Sequence, residues 1–209
     1  MNTQYSIVGS GEVGRTLAGL FAKAGINVQI ANSRGPESLA TITRELGQHV
    51  VPVTVERALD ADVIFLAVGF LQVHAVATKR SNWTGKLVVD VTNALQPAQL
   101  RETERRGLLS SEINAEFVAG AKLVKAFNHL PVTQLGTNPP VDGQQQVVFV
   151  SSNDADASAT IAALAVRLGF APVELGRLDR GGAALHVLDG KPGGLLFQNL
   201  VKLGQERNP

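Results

Sequence analysis

Residues 5–34 read YSIVGSGEVGRTLAGLFAKAGINVQIANSR, and the order of residue types in this stretch decides the fold. Tyr5 to Val8 is a short apolar run. Gly9-Ser10-Gly11-Glu12-Val13-Gly14 follows at once, then a segment of helical period to Ala24, with Gly25 as its stop. A second apolar run, Ile26 to Ala31, leads into Asn32-Ser33-Arg34. A Gly-x-Gly-x-x-Gly is informative only in context. Here a strand precedes it, a helix follows it and a second strand closes a βαβ unit of about 30 residues, the setting of a dinucleotide-binding fingerprint. Gly9 permits the tight turn out of the strand, Gly11 leaves the backbone bare for a pyrophosphate, and Gly14 lets the helix lie close to the sheet. The helix start, with Glu12 and Val13, offers free N–H groups and a positive dipole end to phosphate oxygens.

Arg34 selects the dinucleotide. A site that prefers NAD usually places an Asp or Glu about 20 residues beyond the fingerprint, where it accepts hydrogen bonds from the ribose hydroxyls. This chain has Asn32, Ser33 and Arg34 there, with no acid between Gly14 and Glu37. A carboxylate would repel a 2′-phosphate, whereas a hydroxyl and a forked guanidinium hold one. NADP(H) is therefore the expected cofactor.

The 209 residues suffice for one substantial core, and 44% apolar with 18% charged residues is ordinary for a globular domain. The formal net charge is +1, and no basic run exceeds Arg105-Arg106, which argues against nucleic acid as a partner and gives no polybasic membrane signal. The opening Met-Asn-Thr-Gln-Tyr lacks the pattern of a signal peptide and no stretch approaches a membrane span, so a cytoplasmic protein is expected. There is no cysteine, which removes disulfides, iron–sulfur clusters and thiolate zinc sites together. His49, His74 and His186 are too dispersed for a metal-ligand pattern.

Along the chain, Val13, Leu17, Leu20 and Phe21 share one helix face, and Pro36 to Gly47 repeats a helical pattern through Leu39, Ile42 and Leu46. Strands are expected at Val50 to Val55 despite Pro52, Val63 to Val68, Leu87 to Val91, Ala121 to Phe127, Val147 to Val150 and Ala171 to Leu175. Helices are expected around Gln72 to Lys79, Pro97 to Leu109, Glu112 to Val118, and after a cap at Asn153 or Asp154. Asn128 to Gly143 reads as loop. Strands alternating with helices imply an α/β, doubly wound, Rossmann-type, mainly parallel sheet. Residues 1–150 would form the dinucleotide-binding core. Residues 151–209 would add a small C-terminal strand–helix extension and lid, packed as part of one domain.

Such sheets bind ligands at the carboxyl ends of their strands. That edge collects Ser10, Asn32, Gly69, Asn93, Asn128 and His129, each a small or polar residue directly after an apolar run. Asn and Gly also favour turns on their own account, but as a set at one sheet edge they read as a site.

The fingerprint, Asn32-Ser33-Arg34, the strand end Asp90-Val91-Thr92-Asn93, and Lys125-Ala126-Phe127-Asn128 ahead of Pro131 together resemble the deazaflavin (coenzyme F-420)-dependent NADP oxidoreductase family. The reductase domain of the STEAP metalloreductases belongs to the same group. The resemblance extends over nearly the whole chain. It implies that Ser10, Ser33 and Arg34 hold the ribose phosphates. It also implies that Ala67, Val68, Asn93 and Ala126 to Asn128 line the path of the nicotinamide. The glycines Gly181-Gly182 and Gly193-Gly194 would close a pocket for the second substrate. The chain departs from the family at His129, at Gly69-Phe70-Leu71 and at Asp189-Gly190-Lys191-Pro192, all positions that would face the second substrate rather than the nucleotide.

The expected reaction is hydride exchange between NADPH and a small-molecule acceptor: a deazaflavin, a flavin or another small electron acceptor. A flavin-like acceptor requires no protein acid, because cofactors carry the difficult chemistry. A carbonyl acceptor requires a proton donor; His129, beside Asn128, is the candidate. The sole tyrosine, Tyr5, cannot supply a Tyr-x-x-x-Lys pair. A second reading stays open, that of a non-catalytic NADP(H)-binding redox sensor. The apolar stretch Leu195 to Leu203 would pack on the sheet or pair two copies as a homodimer.

Overall fold

A computed structural model describes residues 3–137, 144–189 and 201–202. The expected Gly193-Gly194 lid, the departure at 190–192, and all of Leu195 to Leu203 except Val201–Lys202 lie outside them. The opening unit is β1 (Tyr5–Val8), α1 (Glu12–Lys23) and β2 (Val28–Ala31). A 3-10 turn at Pro36–Leu39 leads into α2 (Ala40–Leu46), then come β3 (Val50–Pro52), α3 (Val55–Ala58) and β4 (Val63–Leu66). After a 3-10 turn at Phe70–Gln72 follow α4 (Val73–Ala77), β5 (Leu87–Asp90), α5 (Pro97–Arg106), α6 (Ser110–Phe117) and β6 (Lys122–Ala126). The remainder is α7 (Val132–Gly136), β7 (Gln145–Ser152), α8 (Ala155–Arg167), β8 (Ala171–Glu174), a 3-10 segment Gly181–Asp189, and β9 (Val201–Lys202).

The strands form one sheet in the order β3-β2-β1-β4-β5-β6-β7-β8, with β9 paired to β7. Every pairing from β3 to β6 is parallel; β7 runs antiparallel to β6 and carries β8 parallel to itself. The Rossmann-type α/β reading holds. Strand order reverses between β1 and β4, and there a crevice opens at the carboxyl ends. Alternate residues face opposite layers: Ile7, Ile30, Phe65 and Val89 join one core, Val8, Ala31, Leu66 and Val88 the other. Burial on both faces is why these strands are unbroken apolar runs. Through the first core the rings of Tyr5, Phe21, Phe65, Phe127 and Phe170 run as a ladder with centroids 5.3–6.0 Å apart.

Two expectations are corrected by local chemistry. The strand begun at Val50 ends at Pro52: Val53 N makes a last bond to Ile30 O (3.0 Å), and Thr54 then caps α3 by accepting from Arg57 N (3.2 Å). The stretch after Asn128 contains a helix, α7, docked on α1, where Lys23 Nζ donates to Gly136 O (3.3 Å). Of the two cap candidates Asp154 is the cap of α8, accepting from Ala157 N (2.8 Å); Asn153 accepts from Leu178 N (3.1 Å). Among the described residues no helix is long and apolar enough to cross a membrane.

Candidate functional site

The fingerprint glycines divide by cause. Gly9 has φ +116°, and a Cβ there would lie 2.1 Å from Ala67 O. A Cβ on Gly14 would lie 2.0 Å from Gly9 O. Both positions are therefore closed to side chains by the protein's own backbone, which brings the β1 turn, α1 and the end of β4 into contact. Gly11 differs. Its φ is −70°, which any residue adopts, and nothing lies within 4 Å of the Cβ it lacks. Neither conformation nor packing within the chain calls for glycine there; what remains is open space in front of the backbone. Gly11 is also the N-cap of α1 and makes no side-chain capping bond. The first turn, through Glu12 and Val13, thus begins with no side-chain acceptor on its N–H groups.

That open space is a cleft of about 650 Å³ between the ends of β1 and β4, within the usual range of small-molecule sites. Gly9, Ser10 and Gly11 line it, with Asn32, Ser33 and Arg34 on the β2 side and Ala67, Val68 and Gly69 on the β4 side. Asn32 braces this arrangement. Its amide nitrogen donates to Ser10 Oγ (2.9 Å) and Ser38 Oγ (3.0 Å), and its Oδ1 accepts from Arg34 N (2.9 Å). The fingerprint turn and the Arg34 turn are thereby locked to one side chain. Arg34 itself is exposed and, among the described residues, has no ion-pair partner. A free guanidinium and the exposed Ser33 beside it suit a phosphate.

Other walls of the cleft were not legible in the sequence: Val55, Gln72, Ala75, Val76 and Lys79. They arrive because β3 stops early, which lets α3 carry Val55 inward, and because the 3-10 turn after Gly69 swings α4 across the opening. Gln72 Oε1 accepts from Gly69 N (3.1 Å) and holds that turn. Lys79 is paired with Glu56 (2.7 Å), whose carboxyl it lowers below the usual range.

Asn93, Ala126, Asn128 and His129 do not line this cleft; they gather at the ends of β5 and β6. Ala126 is fully buried in the core, leaving only its backbone to meet a ligand. Phe127 holds φ 60°, a strained conformation for a bulky residue, fixed by the rings of Phe65 and Phe170 around it. The turn it makes sets Asn128 against Asn93 as a reciprocal pair. Asn93 Nδ2 donates to Asn128 O (2.7 Å), and Asn128 Nδ2 donates to Asn93 Oδ1 (2.9 Å) and Leu185 O (3.2 Å). Asn128 Oδ1 is buried without a partner among the described residues. His129 lies against Phe149 (4.9 Å), with Nε2 3.3 Å from Val147 O. A carbonyl only accepts, so Nε2 carries the proton and Nδ1 is the bare nitrogen. Burial pushes this imidazole from its ordinary 6.5 down to about 4, the bond to Val147 opposing it in part. At neutral pH His129 is uncharged and its one N–H is committed to backbone.

Comparison with known proteins places this geometry. Residues 4–94 match the family model described as NADP oxidoreductase, coenzyme F420-dependent. Metalloreductase STEAP3 of Rattus norvegicus is 31% identical over 179 residues, 84% of this chain and 34% of that protein. A structure from Arthrobacter sp. FB24 assigned as an F420-dependent NADP-reductase is 26% identical with a TM-score of 0.70, covering 88% of this chain and 90% of that one. The first part of the chain is thus similar to the coenzyme F420-dependent NADP oxidoreductases. The chain spans about a third of the length of the curated relatives it matches. It is also similar to a hypothetical protein from Sinorhizobium meliloti, 41% identical with a TM-score of 0.85, over 97% of this chain and 96% of that one. The matched family is one of NADP oxidoreductases, in accord with Asn32-Ser33-Arg34 standing where an NAD site usually carries an acid.

Proposed function

We propose that the chain reduces a flavin-like ring, a deazaflavin or flavin, with NADPH. The observation that carries the nucleotide part is Gly11: a glycine that the chain's own packing does not need, at an uncapped helix start, facing a cleft braced by Asn32. In this reading Gly9 to Gly14 receive the pyrophosphate, and Ser10, Ser33 and Arg34 hold the ribose phosphates, Arg34 and Ser33 the 2′-phosphate. Ala67, Val68 and Gly69 carry the chain of contacts toward the nicotinamide, and Asn93, Ala126 and Asn128 bound its far end. Bound NADPH supplies the hydride; the protein orients the ring, keeps it from water and lends backbone and amide partners. The orphan Asn128 Oδ1 suits the amide N–H of a carboxamide.

What His129 lacks supports that acceptor class. Reduction of a carbonyl needs a proton delivered to the growing alkoxide. His129 is neutral at pH 7 and its only N–H faces Val147 O, which supports an acceptor that takes its proton from solvent. The Gly181–Asp189 segment, reached by Asn128 through Leu185 O, forms one wall for that second ring. We extend the same reading to a homodimer, which sedimentation would test. The decisive assay mixes the protein and NADPH with a deazaflavin, riboflavin, FMN, a quinone and a ketone, following absorbance at about 340 nm. Turnover with the tricyclic rings and none with the ketone is expected. Saturable NADPH binding with no turnover on any acceptor would instead assign a redox sensor.

A further inference from the structure

Asp90 and Lys125 form, among the described residues, the one ion pair whose two side chains are both wholly buried, with Nζ 3.2 Å from Oδ2. They are register partners on the parallel strands β5 and β6. Each sits at or next to its strand's end, three residues ahead of an amide, Asn93 in one case and Asn128 in the other. Each partner also bonds forward to the turn that carries Asn93, and α6 braces the same group. Asp90 Oδ1 accepts from Thr92 N (2.9 Å), and Lys125 Nζ also donates to Thr92 O. Asn114 Nδ2 of α6 donates to Asp90 Oδ2 and Thr92 Oγ1, both at 3.1 Å.

Taking two charges out of water is costly, and a buried ion pair is often no more stabilising than the apolar pair that could replace it. Its stability therefore does not account for its presence, whereas the geometry it imposes does. Asp90 and Lys125 hold both backbone groups of Thr92, leaving Asn93 one orientation, from which it meets Asn128 in the reciprocal amide pair. We propose that Asp90 and Lys125 are positioning residues for hydride transfer, fixing the Asn93–Asn128 pair that orients the nicotinamide. This rests on the function proposed above. The phosphates lie elsewhere, on the β1 and β2 turns, so the pair governs the reacting end of the nucleotide without governing its affinity.

The test compares the wild type with Asp90→Asn/Lys125→Met, which removes both charges while keeping their volume, and with Asp90→Asn alone should the double variant fail to fold. Three readouts are taken: affinity for 2′,5′-ADP, which has the phosphates and no nicotinamide; the fluorescence of bound NADPH, which reports how the nicotinamide is held; and kcat with the best acceptor. The expected result is 2′,5′-ADP affinity within about twofold of wild type, loss of at least half the enhancement in nicotinamide fluorescence, and a kcat at least tenfold lower at unchanged KM for NADPH. Unaltered fluorescence and kcat in a folded variant would overturn the inference. So would a parallel loss of 2′,5′-ADP affinity and kcat, the mark of a merely structural pair. A wild type that binds NADPH without turnover leaves fluorescence to decide; one that fails to bind NADPH overturns the proposed function and this inference with it.

Discussion

Gly9 and Gly11 stand two residues apart and make opposite demands. A Cβ at Gly9 would press on Ala67 O at φ +116°, so Gly9→Ala is expected to cost on the order of 3 kcal/mol, read as a lower urea midpoint. A Cβ at Gly11 meets nothing, so Gly11→Val should unfold at nearly the wild-type temperature yet fail to take up NADPH. If Gly11→Val binds NADPH normally, the pyrophosphate lies elsewhere. Arg34 acts on one cofactor only. Arg34→Ala removes a charged hydrogen-bonding partner worth about 2 kcal/mol, so the Kd for NADPH should rise roughly 30-fold while that for NADH stays within about twofold. Equal weakening of both would detach Arg34 from the 2′-phosphate. For His129 the sign is that of a buried neutral base. The folded protein takes up its proton near 4 and the unfolded chain near 6.5, so stability is full above 6.5 and is lost as pH falls toward 4. Urea midpoints of wild type and His129→Gln should converge at pH 4.5 relative to pH 7, the wild type losing more. An equal loss in both proteins would mean the imidazole is not held neutral. The fingerprint and the Arg34 turn were legible because they depend on neighbours in sequence. The strain at Phe127 and the direction of the His129 N–H depend on contacts with Phe65, Phe170 and Val147, which no local pattern encodes.

At the scale of elements the apolar runs were sufficient for the parallel strands, since burial on both faces leaves no alternation to misread. Direction was another matter. The run at Val147 carries no mark of being antiparallel to β6, and its true extent, Gln145–Ser152, comes from pairing with β6, β8 and β9. Two short helices were not legible because α3, four residues long, begins at the end of an apolar run and α7, five residues long, lies in a Pro-rich stretch that reads as loop. Those two omissions had unequal effects, because α3 delivers Val55 to the cleft whereas α7 packs on α1 and gives the cleft no wall. Lys125 escaped notice as a functional residue because a lysine at a strand end reads as solvated, and only cross-strand register sets it beside Asp90. The cap of α8 was legible. Asp154 accepts from Ala157 N and pairs with Lys122 (2.9 Å), both of which hold its carboxyl below the usual range. Asp154→Ala should lower the urea midpoint modestly, as loss of a helix cap does. NADPH affinity should not change, because α8 lies against β6, β7 and β8, remote from the β1–β4 crevice. A drop in affinity would show that the C-terminal part of the sheet feeds into the nucleotide site.

At the scale of the molecule, the cleft sits where strand order reverses, so whatever fills it touches both halves of the sheet: the Asn32-braced turns of β1 and β2 on one side, the end of β4 and α4 on the other. A ligand there acts as a cross-link that the unfolded chain cannot bind, and linkage converts its affinity into stability. At a free concentration of about 100 times its Kd, NADPH should add roughly 2.7 kcal/mol. For a chain of 209 residues, each kcal/mol moves the midpoint by roughly 2–4 °C, so a rise of about 5–10 °C is expected in a thermal melt. NADH at the same concentration lacks the group that Arg34 and Ser33 await and should raise the midpoint far less. The Arg34→Ala protein should show the two nucleotides acting alike. A midpoint that neither nucleotide moves, at concentrations that saturate related reductases, would remove the dinucleotide from the cleft and leave the fold without its proposed chemistry.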